Sequence, residues 1–145
     1  MNIKMKIAFG CYFLTGLLLA GFGFVYLLRP EFMPYHSVAV GLAWSEVPPQ
    51  FQVLIVALMR VIGGTCLALL LAIYIILFTA FRNGAKWALW ALPLIIVVQS
   101  ITSFYGMLHV AQHTVANPPF LASAIGLILA TIAVLFSMTA KKNTP

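Results

Sequence analysis

Four long apolar stretches govern what this chain can fold into. The first, Ile7 to Leu28, runs for 22 residues without a charge. The second covers Phe51 to Phe81 and is broken only by Arg60 and the Gly63-Gly64 pair. The third reaches from Trp87 to Gln112 with Pro93 in its second turn, and the fourth from Phe120 to Met138, after Asn117-Pro118-Pro119. About 20 apolar residues in helical form span the hydrocarbon core of a bilayer, so each stretch is long enough to cross once. A backbone with no water to bond must satisfy itself, which makes helices the expected form.

Composition agrees. Of 145 residues, 63% are hydrophobic and 7% charged, and the mean hydropathy is +1.09. A soluble domain carries roughly 25% charged residues because its surface faces water. The expectation is an all-α integral membrane four-helix bundle forming a single domain over residues 1–145. The +6 net charge does not mark a nucleic-acid partner, since no basic stripe with interleaved aromatics is present. Lys4 and Lys6 precede the first stretch as in a signal peptide. That stretch is longer than a signal core of about 7–15 residues and ends in Leu27-Leu28-Arg29-Pro30 without a small-residue cleavage site, so it reads as a retained span.

Basic residues orient the spans. Lys4, Lys6, Arg82, Lys86, Lys141 and Lys142 fall on one side and only Arg29 on the other. The six-charge side is expected to be cytoplasmic, with both termini inside. Trp87 and Trp90 on that side, and Tyr35 and Trp44 on the other, sit where aromatic belts form. The segment Pro30 to Gln50 is apolar for a loop apart from Glu31, His36 and Glu46. It reads as a short helix or turn lying in the interface over the outer mouth of the bundle.

Arg60 stands out within the spans. Nine positions into the second stretch puts it about 13 Å deep at 1.5 Å per residue, where a guanidinium costs about 2.5–3.5 kcal/mol on insertion scales. Two readings stand side by side: an anchor for an anion or head group facing the bundle interior, or an arginine that snorkels to carbonyls or to an outer carboxylate. On the third span, Gln99, Thr102, Ser103, Gly106, His109 and His113 share one face at 100° per residue, flanked by Tyr105 and Gln112. This polar seam is expected to face Arg60. The counter-ion would be Glu46 or Glu31, the only two acids, with Glu46 favoured for its closeness to the second span. The candidate ligand-binding set is therefore Arg60, Gln99, Ser103, His109, Glu46 and His36.

Small residues at helical spacing (Gly16, Ala20 and Gly23; Gly63 and Gly64; Ser123, Gly126, Ala130, Ala133 and Ser137) suit close helix packing, with a ligand cleft as the alternative. His109 and His113, four apart, with His36 as a third ligand, raise a metal or haem. There is no HExxH or Cys-x-x-Cys-His pattern, and the other three spans carry no histidine to face them. No cofactor is named by the residues. Cys11 and Cys66 read as small buried hydrophobes. No nucleophile with a base, acidic pair or phosphate-cradling loop is evident, and no span holds the carboxylate of a proton-coupled exporter.

The stretch Phe32-Met33-Pro34-Tyr35-His36 through Trp44, followed by Leu58-Met59-Arg60-Val61-Ile62-Gly63-Gly64, resembles small bacterial four-span inner-membrane proteins. It is more loosely similar to DoxX-like four-helix proteins, which also place an Arg ahead of Gly in an apolar helix. The likeness covers most of the chain in layout and about a dozen residues in motif. It implies an accessory subunit near quinone-linked oxidation and transfers no catalytic residue. The expected function is a binding or accessory protein whose partners are the bilayer and either a lipid-like ligand or a larger membrane complex; a homo-oligomer is compatible. Competing readings are a membrane enzyme or redox accessory acting on a lipid-like or quinone substrate, a small transporter, and a structural or assembly factor.

Overall fold

A computed structural model describes residues 1–141; Lys142, one of the two basic residues of the tail, lies outside the described residues. Among the described residues, four helices are long and apolar enough to cross a membrane. α1 spans Ile3–Leu28, α3 spans Pro49–Ile76, α4 spans Ala88–His113 and α5 spans Phe120–Lys141, with a short α2 at Pro34–Val40. No β-strand occurs among the described residues.

The ends of these helices have local causes. α1 starts four residues before the apolar run, because the Asn2 side-chain oxygen accepts from the Met5 N–H at 2.9 Å and caps the first turn. α3 starts at Pro49, where a missing N–H costs nothing. At its far end it widens into a π-helical turn over Leu77–Phe81, with the Arg82 N–H reaching the Leu77 carbonyl. Gly84, at φ 74°, takes the left-handed conformation that lets the chain turn into α4.

α1 is the central element. It packs most extensively on α3 and α5; α4 rests on α5 and touches α3 only lightly. Glycine sets the α1–α3 distance. A Cβ on Gly63 would meet the Leu27 nitrogen at 2.6 Å and the Gly23 carbonyl oxygen at 2.7 Å, so the two backbones touch there. A Cβ on Gly16 would run into the Tyr74 ring. The Tyr74 hydroxyl donates to the Phe13 carbonyl at 3.0 Å, and the Phe13 and Tyr74 rings stack 5.2 Å apart. On α5 the small residues Ala130, Ala133 and Ser137 are buried. The close-packing reading of these residues describes Gly16, Gly23 and Gly63 well.

The two ends of the molecule differ in how they fill space. At the end where α1 begins and α5 stops, here the termini end, Tyr12, Ile73, Leu77, Phe81 and Leu92 are fully buried in one core. At the opposite end, the connection between α1 and α3 folds into a cap with a smaller core of Tyr26, Phe32, Val47 and Met59. Phe32 meets Trp44 edge to face at 4.9 Å. Gln52 Nε2 donates to the Trp44 and Val47 carbonyls at 2.9 and 3.0 Å, tying the cap to the start of α3. Gly41, at φ 74°, ends α2. The expected short helix in this loop is present.

Candidate functional site

The light contact between α3 and α4 leaves a cavity of about 460 Å³ in the loop-end half. α3 and α4 are joined by a short turn at the termini end and meet partly through the π-helical segment there. Further along they stand apart. Leu18, Phe22, Leu69, Ile95 and Met107 supply apolar wall, and α5 closes one side with Ser123 and Gly126. No atom lies within 4 Å of where a Gly126 Cβ would project.

Val61, Ile62 and Thr65 of α3 and Thr102 of α4 line the cavity and are exposed. The space therefore opens sideways between these two helices. A second cleft, about 250 Å³ and bordered by Leu69, Leu94, Ile95, Val98 and Gln99, continues along the same seam.

The polar groups lie in two places. Tyr26, Tyr35 and His36 come from the cap and from the end of α1 beneath it. The Tyr26 and Tyr35 hydroxyls bond to each other at 2.8 Å, and the His36 ring stands 4.1 Å from that of Tyr35. Two hydroxyls sharing one proton between them leave the other proton to donate elsewhere. His36 Nδ1 accepts from the Met33 N–H at 3.3 Å, which places the proton of the neutral ring on Nε2 as a donor. Burial holds the His36 pKa below its ordinary value, favouring that neutral form.

The second polar group is the wall of α4. Gln99 Nε2 donates to Ser103 Oγ at 3.2 Å, leaving the Ser103 proton, the other Gln99 N–H and the Gln99 carbonyl oxygen with bonding capacity. Ser100 lies beside them. The three threonines in the lining are turned to their own helices: Thr15 donates to the Cys11 carbonyl, Thr65 to Val61 and Thr102 to Val98 and Gln99.

Of the six expected site residues, Gln99, Ser103 and His36 line this cavity and Arg60, Glu46 and His109 do not. Arg60 is exposed and has no carboxylate partner among the described residues. The cause is rotational: with Gly63 held against α1, Ile62, Thr65 and Leu69 face the cavity, and Arg60 lies about 160° round the helix from them. The expected meeting of Arg60 with the α4 seam is thus replaced by a seam that faces a cavity.

Neither acid approaches Arg60. Glu46 accepts from the Ala43 N–H at 2.6 Å, and Glu31 pairs with Arg29 at 3.0 Å. Within the seam, Thr102 and Gly106 reach the cavity while His109 and His113 stay exposed near the end of α4. Their rings lie 4.3 Å apart, and the His113 Nδ1–H donates to the His109 carbonyl at 2.8 Å. No group of three or more His, Cys, Asp or Glu suited to a metal occurs among the described residues.

Two features of the site escape the sequence reading. Tyr26 is the polar-tipped residue in the last turns of α1, and Tyr35, expected in an aromatic belt, turns inward to meet it. The only signal was a tyrosine in an otherwise apolar helix end. Cys66 is buried, as expected, and also lines the cavity; both cysteines are free. No family model matches the chain, and neither a curated protein nor a solved structure matches it.

Proposed function

We propose that this protein is a multi-pass membrane protein, a four-helix bundle that takes a lipid-like molecule from the bilayer through the gap between α3 and α4 and holds it beneath the α2 cap. The observation that carries the reading is the cavity itself: apolar along its walls, polar at the roof and on one face of α4, and open sideways between two membrane-length helices. Ligand sites are typically concave, mostly apolar, about 300–1,000 Å³ in volume and furnished with a few convergent polar groups. An opening on the flank of a bundle gives onto lipid rather than water.

Lys4, Lys6, Arg82 and Lys86 at the termini end, against Arg29 at the other, support cytoplasmic termini and a cavity in the outer half. The inner membrane of a bacterium and a role as a non-catalytic accessory subunit fit the layout. Among the described residues, the lining presents no nucleophile paired with a base and no acidic pair.

Photo-crosslinking in the membrane tests this. Benzoylphenylalanine at Met107, in the cavity wall, is expected to give a lipid-mass adduct on irradiation. The same group at Leu92, in the packed core, should give only crosslinks within the chain. Absence of a lipid adduct at Met107 contradicts the reading.

A further inference from the structure

We propose that the cavity selects an uncharged lipid bearing carbonyl acceptors, held by His36, the Tyr26–Tyr35 pair, Gln99 and Ser103, and that it discriminates against anionic phospholipids. This rests on the reading of the cavity as a lipid site and adds the chemistry of the head group.

The first argument is charge. Among the described residues, none that lines the cavity is Asp, Glu, Lys or Arg. An anionic head buried there would meet no counter-ion, and a buried charge without a partner is costly. Neither Arg29 nor Arg60 lines the cavity: Arg29 pairs with Glu31, and Arg60 lies on the opposite face of α3.

The second argument is the inventory of hydrogen-bonding groups. The His36 Nε2–H, one tyrosine O–H, the Ser103 O–H and the second Gln99 N–H are neutral donors. They suit ester or ketone oxygens. The Gln99 carbonyl oxygen accepts from a ligand hydroxyl where there is one. Because the lining threonines donate to their own helix carbonyls, selectivity rests on the two tyrosines, His36, Gln99 and Ser103, with the Ser100 and Ser123 hydroxyls also in the lining.

The third argument is shape. About 460 Å³ takes a head and the first part of its chains, and the seam cleft beside Leu94 and Val98 carries the chains out towards the bilayer.

Dioleoylglycerol and dioleoyl phosphatidic acid share their chains and glycerol and differ by one phosphate, which makes them the probes. The full chain, purified in detergent, is titrated with an equimolar mixture and its complexes are read by native mass spectrometry. The expected result is at least a tenfold preference for dioleoylglycerol. His36→Leu combined with Gln99→Leu should lower its binding at least fivefold, and His36→Gln, which keeps an N–H donor, should retain most of it. Arg60→Leu should change neither lipid.

Unfolding midpoints of the variants close to that of the wild type exclude misfolding as the cause of a loss; if the double variant fails this check, the contrast between His36→Leu and His36→Gln decides. Equal or stronger binding of phosphatidic acid, abolished by Gly126→Phe, overturns the uncharged-head proposal while leaving the cavity as a lipid site. Binding of either lipid that Gly126→Phe does not affect overturns the cavity site as well, and so does binding of neither lipid by the wild type.

Discussion

The termini-end and loop-end halves of this molecule use similar residues and reach different packing. At the termini end, Tyr12, Leu77, Phe81 and Leu92 close on one another with no exposure worth the name. At the loop end, the same α1, α3 and α4 continue with Phe22, Leu69 and Ile95, yet these border a cavity of about 460 Å³. Apolarity alone therefore does not fill a bundle. What separates the halves is the helix pairing: α1 holds α3 and α5 close, while α4 leans on α5 and leaves α3 beyond its turn. The half that is less well packed is also the half where a neutral histidine, two tyrosines and the α4 amide and hydroxyls converge.

The largest expected effect sharpens this contrast directly. Phe81→Ala, in the fully buried core, should cost about 3–5 kcal/mol of stability, whereas Phe22→Ala at the cavity wall should cost about 1–2 kcal/mol, since part of that side chain already faces open space. Reversible unfolding in mixed micelles measures both. Equal losses would mean the two halves are packed alike.

Next come the adjacent glycines. Gly63→Ala puts a Cβ against α1 backbone that has little room to yield and should destabilise by about 1–3 kcal/mol. Gly64→Ala meets nothing within 4 Å and should be neutral or stabilise by up to about 1 kcal/mol through helix propensity. The same assay separates them, and a reversal would show that Gly63 does not set the α1–α3 distance.

A pH effect smaller than these is expected from the cap. His36 has a folded pKa lowered by burial, so the unfolded chain binds a proton more readily. Its contribution is fully present above the ordinary histidine value of about 6.5 and is lost as pH falls from there through the folded pKa. A histidine NMR titration of wild type against His36→Gln reads it. A His36 signal titrating above 6.5 would contradict the burial argument. The smallest effect belongs to Arg60. Arg60→Leu should leave lipid retention unchanged, because its side chain lies on the face of α3 turned from the cavity.

Arg60 also marks where reading the sequence stops. Residue count gives its depth and the 100° rule gives the α4 seam, and Gln99, Thr102, Ser103 and Gly106 do share one face onto the site. Depth does not give the rotation of α3 about its own axis. That rotation follows from one tertiary contact, Gly63 against Gly23 and Leu27, which turns Arg60 outward and Ile62 inward. The roof is illegible for a similar reason. Tyr26 and Tyr35 belong to different elements, and only the fold of the loop between them brings their hydroxyls to 2.8 Å. The four apolar helices needed no such information, since length and composition define each one alone.

The central claim, that the loop-end cavity holds a molecule drawn from the bilayer, is tested most directly by native mass spectrometry of the protein released gently from its own membrane. Wild type and Gly126→Phe are compared, the latter projecting a ring into the cavity where a Cβ meets no atom within 4 Å. The account predicts a lipid-mass adduct that survives on the wild type and disappears in Gly126→Phe at unchanged stability. The same adduct on both proteins, or on neither, would contradict it.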